Sequence, residues 1–412
     1  MCGFPRTRHS DQRATPLVEV AKPRPTTPMT LQLPAEDGTL TRWRPSGTVL
    51  PPPEPGGFSA RVALAATHVV ADPSPDLTGD GTAHLDWEAT LAYRHHVWSL
   101  GLGVAEAMDT AQRGAGLTWE ASRELMRRTG AEAASVGGLA VFGAGTDQLP
   151  ASPSTQPKIL EAYREQLELI ESLRGRAVVM ASRALAHMAR SPDDYLDVYT
   201  TLLADVARPV IIHWLGDMFD PELHGYWGST DLWAAMETVI ELARICGRQI
   251  DGVKVSVLDD SLERQLRRAL PAGVRVYTGD DLNFVDLVAG DGDHHSDALL
   301  GAFDPIAPAA ALALQALDRG DVARYREVLE PTIPLSRHLF APPTSHYKAG
   351  VVFLAYLNGH QEHFRMLSGA ESMRSLTHLS RLLVLADEAG LLRDPPLAVH
   401  RMRLQLAAAG ID

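Results

Sequence analysis

Cysteine is almost missing: Cys2 and Cys246 are the only two in 412 residues. Neither has a partner at CxxC or metal-ligand spacing, which excludes a disulfide framework and a cysteine-built zinc site. Basic charge is also short. Against 51 acidic residues stand 38 basic ones, a formal net charge of −13. Such a balance argues against a nucleic-acid backbone or an anionic membrane as partner. No apolar run reaches the ~18 residues that a spanning helix needs. Residues 1–22 carry charges but no long apolar stretch, so no Sec-type leader is expected there, and the expected location is cytoplasmic. No GxGxxG or GxxxxGK[ST] follows an apolar run, which removes the usual phosphate-binding turns.

One stretch stands out in what is present. Ile250-Asp251-Gly252-Val253-Lys254-Val255-Ser256-Val257-Leu258 reads as a short buried strand with a single ammonium inside it. Burying a lysine is costly unless its charge is paired, solvated or lost. A lysine that gives up its proton easily is an amine nucleophile, the group that forms a Schiff base with a carbonyl. Taken alone, the stretch is equally compatible with a salt-bridged or solvent-reaching lysine at a strand end.

The rest of the chain gives that strand a setting. Residues 1–57 are rich in proline and polar groups and end in Pro51-Pro52-Pro53-Glu54-Pro55-Gly56-Gly57. They read as a tail (residues 1–25) followed by a small hairpin between 30 and 44. From there on, short apolar runs alternate with amphipathic stretches. Strands are expected at 61–67, 103–108, 139–143, 177–181, 209–214, 250–258, 274–278 and 298–303. Helices are expected between them, entered through Asp86, Thr118 and the Ser191-Pro192 pair. Eight strand–helix pairs in about 260 residues are the count and size of a (β/α)8 TIM barrel, in fold class α/β. The expected organisation is an N-terminal extension (1–57), a barrel (58–320) and a C-terminal helical extension packed on it (321–412).

In such a barrel, chemistry sits at the C-terminal ends of the strands. Polar residues collect there: Thr67 and His68, Asp109 and Thr110, Ser182 and Arg183, His213, Lys254 and Ser256, then Thr278, Asp280 and Asp281. Asp291, Asp293, His294 and His295 precede the last strand. Carboxylates and imidazoles that close together can bind a divalent metal, although their order matches no standard spacing. Tyr93-Arg94-His95-His96 falls on a helix, where adjacent histidines diverge by about 100°.

These residues resemble the class I aldolase superfamily of dihydrodipicolinate synthase and N-acetylneuraminate lyase. The resemblance runs from about residue 61 to 367 and is densest in the second half. Gly252-Val253-Lys254 is similar to the strand carrying that family's Schiff-base lysine, and Tyr277-Thr278-Gly279-Asp280-Asp281 to its Gly-Asp-Asp turn. Asp297-Ala298-Leu299-Leu300-Gly301 with Ile306-Ala307-Pro308 resembles its last strand and helix. Lys348-Ala349-Gly350 resembles a later helix start, and Leu117-Thr118-Trp119-Glu120 the helix after the Thr-Thr-Gly-Glu loop. Two departures stand out. Where the family's fifth strand ends in a proton-relaying tyrosine, this chain has His213-Trp214. Only Thr110 aligns with the pair of threonines, and Ala111 follows it. The pattern fits a divergent dihydrodipicolinate-synthase-like subgroup.

The resemblance implies a Schiff-base lyase or aldolase acting on a small oxo compound, a 2-keto acid or keto-sugar derivative. Lys254 would be the nucleophile. His213 would relay protons, since an imidazole titrates near neutral pH. Thr110, Asp109, Ser256, Thr278, Asp281, Arg183 and His68 would contact substrate. No cofactor beyond the covalent lysine is implied, and a homo-oligomer, dimer or tetramer, is expected. Two other readings remain open on the residues alone. One is a metal-dependent sugar isomerase or lyase using Asp109, His213 and the Asp291–His295 loop. The other is a non-catalytic small-molecule-binding barrel.

Overall fold

The computed structural model describes residues 29–75, 83–150 and 154–411. The tail expected at residues 1–25 lies outside them. The hairpin forms as expected. β1 (Leu31–Pro34) and β2 (Leu40–Trp43) pair antiparallel, and Leu31 and Leu33 point into the core.

Eight parallel strands then close on themselves. They are β3 (Ala63–Ala66), β4 (Gly103–Glu106), β5 (Ala140–Ala144), β6 (Arg176–Val179), β7 (Val210–Leu215), β8 (Ile250–Ser256), β9 (Arg275–Thr278) and β10 (Asp297–Leu300). Each pairs with the next, and β10 pairs with both β9 and β3, so the sheet has no edge. This is the (β/α)8 barrel. Small and apolar side chains fill its inside, among them Leu64, Ala66, Val141, Val178, Ile211 and Leu299.

Local chemistry sets the helix entries. Asp86 accepts from Ala89 N to start helix Trp87–Ser99, and Thr118 accepts from Ala121 N to start Trp119–Val136. Ser191 and Asp194 form a capping box on Pro192–Leu203. Two details depart from the sequence reading. A short helix, Arg183–Met188, follows β6, capped by Ser182. The last strand ends at Leu300 rather than 303, because the chain turns there and carries Asp304 across to His68.

The C-terminal helices share the barrel's core. Every residue of Tyr347–Leu357 is buried, between the barrel and helices Leu376–Glu388 and Pro395–Ala408. One continuous apolar cluster joins Ala298 and Leu300 of the barrel to Val352, Leu383 and Met402 of the extension. The proline-rich arm ties the two together. Ser46 N donates to Asp387, Leu50 N to Gly390 O, and Glu54 exchanges two hydrogen bonds with Gln315. No helix among the described residues is long and apolar enough to cross a membrane.

Candidate active site

Strand parity decides which polar residues meet. Side chains alternate along a strand, so residues paired across neighbouring parallel strands share a face. Lys254 pairs with His213 on one side and Tyr277 on the other. All three point into the barrel, as does Ser256 two residues on. Gly252 points the same way, and a Cβ there would meet the Tyr277 ring at 2.8 Å, so glycine leaves room for that ring.

Lys254 is only 7% exposed. It faces a chamber of about 20 Å³ at the C-terminal end of the barrel, room for about one water. Asp109, Thr110, Ser256, Asp281, Gly301 and Tyr347 line the chamber with it. Burial pushes the lysine below its ordinary range, while Asp109 and Asp281 oppose that shift. Burial also raises the Asp281 carboxyl to about 7, although Ala302 N donates to it at 2.8 Å and Lys254 lies nearby. Gly279 makes the approach possible: a Cβ there would meet Ser256 Oγ at 2.1 Å and Lys254 Cε at 3.0 Å.

Asp109 and Leu215 line both this chamber and a neighbouring cleft of about 250 Å³. Its walls carry Arg113, Asp147, Arg183 and Asp220. The Arg113 guanidinium is fully used by Asp147, Gln166 and Gly143 O. Arg183 donates through Nε to Asp220 at 2.7 Å and is half exposed, which leaves its remaining N–H groups toward the cleft. The Asp109 carboxylate, on the wall of both spaces, has no hydrogen-bond or ion-pair partner among the described residues.

Of the residues expected to contact substrate, the fold therefore brings together Lys254, Asp109, Thr110, Ser256 and Asp281, with Arg183 in the cleft. It separates three others. Thr278 pairs with Val255, so it faces outward and donates to the buried Glu263 at 2.9 Å. His68 is fully buried behind Asp304, which receives its Nδ1 at 2.8 Å, and does not border the chamber. His213 lies inside the barrel behind the chamber wall. Its Nε2 is 3.3 Å from Ser256 Oγ, and its Nδ1 has no partner among the described residues. Burial, helped by Lys254, drives it well below the usual imidazole range and keeps it neutral.

The Asp291–His295 loop precedes β10 and so lies at the N-terminal end of the barrel, away from Lys254. Asp291 is held there by Arg264, Arg267 and Arg268. It cannot join Asp109 and His213 in one metal site. Among the described residues no three His, Cys, Asp or Glu side chains gather as metal ligands would.

Sequence reasoning missed Tyr347. Its hydroxyl is 2.8 Å from Thr110 Oγ1, and its ring stacks on Phe340 at 4.5 Å. Burial raises its pKa well above the ordinary phenol value. The only signal was its place directly before Lys348-Ala349-Gly350. Lys348 is itself buried, donates to Ser345 O at 3.2 Å, and is depressed by burial.

Comparison with known proteins agrees with this geometry at the level of fold. Dihydrodipicolinate synthase from Aquifex aeolicus superposes with a TM-score of 0.61 at 16% identity, covering 81% of this chain and 100% of that one. The enzyme from Thermotoga maritima gives 0.59 at 14% identity, over 81% and 100%. The chloride-inhibited enzyme from Acinetobacter baumannii, solved in complex with pyruvate, gives 0.60 at 14%, again over 81% and 100%. No curated protein sequence matches. One family model covers residues 31–411, nearly the whole described chain. The chain thus has the dihydrodipicolinate synthase fold and belongs to the family described as DUF993, proteins of unknown function.

Proposed function

We propose that this chain is a Schiff-base-forming lyase or aldolase acting on a small oxo compound, a 2-keto acid or keto-sugar derivative. One observation carries the reading: Lys254 is a buried amine with a depressed pKa, lining a chamber that shares its Asp109 wall with a polar cleft. A similar fold solved with pyruvate bound supports the substrate class.

The neutral Lys254 amine attacks the substrate carbonyl carbon, and the π pair moves to oxygen. The Thr110–Tyr347 pair carries a proton from the new ammonium to that oxygen. A second proton, from solvent through the cleft, lets the oxygen leave as water and leaves an iminium on Lys254. Breaking the adjacent C–C or C–X bond then sends its electron pair into the iminium, giving an enamine. Tyr347 is suited to the proton transfer because its phenol stays protonated and borders the chamber. His213 is assigned a positioning role through Ser256, because charging it beside Lys254 in a fully buried site is unfavourable.

The test is borohydride trapping with pyruvate as probe, followed by peptide mass analysis. A reduced adduct on Lys254 is expected in the native chain and none in Lys254→Ala. Adduct on another lysine, Lys348 included, would overturn the assignment.

A further inference from the structure

A second cavity, of about 310 Å³, lies where the proline-rich arm, helix Trp87–Ser99 and the C-terminal helices meet. It does not border the Lys254 chamber. Its walls are largely apolar: Leu50, Pro52, Leu100, Pro305, Leu354 and Leu391. That size and lining fall in the range of small-molecule sites, roughly 300–1,000 Å³ with a few placed polar groups.

The polar groups here are unequal. The acceptor is spent. The Asp304 carboxylate receives His68 N at 2.7 Å, His68 Nδ1 at 2.8 Å and the Tyr93 hydroxyl at 2.9 Å. The donors are unspent. The His96 and His360 rings lie with centroids 4.5 Å apart, tilted 37° to one another, and neither makes a hydrogen bond through its ring nitrogens among the described residues. Arg393, at the rim, gives its backbone N–H to Asn358, and its guanidinium has no ion-pair or hydrogen-bond partner among the described residues. Burial, with the Arg393 charge adding to it, pushes His96 down to about 4 and His360 to about 2. Both imidazoles are therefore neutral, and the guanidinium supplies the charge. A neutral ring still donates one N–H.

We propose that this cavity is a second ligand site for a small carboxylate with an apolar body, its anion held by Arg393 with His96 and His360 and its body on the leucine and proline walls. A guanidinium and two N–H donors match a carboxylate, while the walls repay burial of a hydrocarbon or aromatic group. The arm completes the site, since Leu50, Pro51, Pro52 and Pro53 form one side and the Leu50–Gly390 hydrogen bond fixes their distance from the extension. Binding here is independent of Lys254 chemistry.

The experiment is calorimetric titration of the full chain with phenylacetate, phenylacetamide and acetate. Phenylacetate is expected to bind, and the neutral amide and the short acid at least about tenfold more weakly, the loss of one charge-assisted contact or of the apolar body. Arg393→Gln, an exposed substitution, is expected to weaken phenylacetate by about tenfold or more, and Arg183→Gln, in the Lys254 cleft, to leave it unchanged. Equal binding of phenylacetamide would overturn the anion assignment. Loss in Arg183→Gln but not in Arg393→Gln would place the ligand in the other cleft. Absence of phenylacetate binding at millimolar concentration would remove the site.

Discussion

Thr110 Oγ1 and the Tyr347 hydroxyl lie 2.8 Å apart, although 237 residues separate them in sequence. The threonine comes from the turn after β4, and the tyrosine opens a helix of the C-terminal extension. The extension thus supplies a phenol to the barrel mouth, while the strand facing Lys254 carries His213. If this pair shuttles protons, Tyr347→Phe should slow trapping of pyruvate on Lys254 by about 10²-fold or more, the usual scale of acid–base assistance. Thr110→Val should act similarly, and the double variant should add little. His213→Asn should cost distinctly less. A larger loss in His213→Asn than in Tyr347→Phe would return the relay to the histidine.

The pH dependence of trapping follows from the charges around Lys254. Only the neutral amine reacts, so the rate should rise with pH through the lysine's lowered pKa. Asp281 opposes that lowering by stabilising the ammonium. Asp281→Asn removes the opposing charge, so the rising limb should move to lower pH. Trapping rates measured across a pH series in both chains check this. A limb displaced to higher pH in the variant would mean that Asp281 does not face the amine as a carboxylate.

Much of this was readable in the residues, and parity explains most of what was not. The eight apolar runs located the strands to within a few residues because buried parallel strands read as continuous hydrophobic stretches. Lys254, Ser256, Asp281, Asp109 and Thr110 were legible because each ends a strand or follows one. Thr278 was misplaced because the end of a strand says nothing about which face a side chain takes. Pairing with Val255 rather than Lys254 turns it toward Glu263. His68 was misplaced because its partner, Asp304, comes from the turn just beyond the run read as the last strand, where nothing in the sequence points it at His68. Tyr347 was invisible since its helix is buried all round and has no amphipathic stripe to show which face meets the barrel.

Gly279 is held where a side chain has no room. Its N–H donates to Val255 O at 2.7 Å, and a Cβ would lie 2.8 Å from that same oxygen, which cannot rotate away. Gly279→Ala should therefore push the β9 turn off Lys254. The expected cost is about 1–3 kcal/mol in unfolding free energy, as for other overpacked sites. The loss of trapping on Lys254 should be larger than that of Gly130→Ala, where a Cβ meets nothing closer than 3.7 Å. Denaturant unfolding and trapping on both variants separate the two effects.

Glu263 should make the fold's stability depend on pH in an unusual direction. It is fully buried, and burial lifts its carboxyl to about 8, against the hydrogen bonds from Ser296 and Thr278. In the unfolded chain the same group titrates near its ordinary 4.5. Between those values the folded state holds a proton that the unfolded state has released. Stability is therefore lost as pH rises from about 4.5 toward 8, with no further loss from this group above that. Glu263→Gln carries no titratable proton and keeps an oxygen for one hydroxyl. Its unfolding free energy should fall less steeply between pH 5 and 8 than that of the native chain, and at pH 8 it should match or exceed it. Urea titrations at several pH values test this, and parallel pH profiles for the two chains would show that Glu263 is already ionised in the fold.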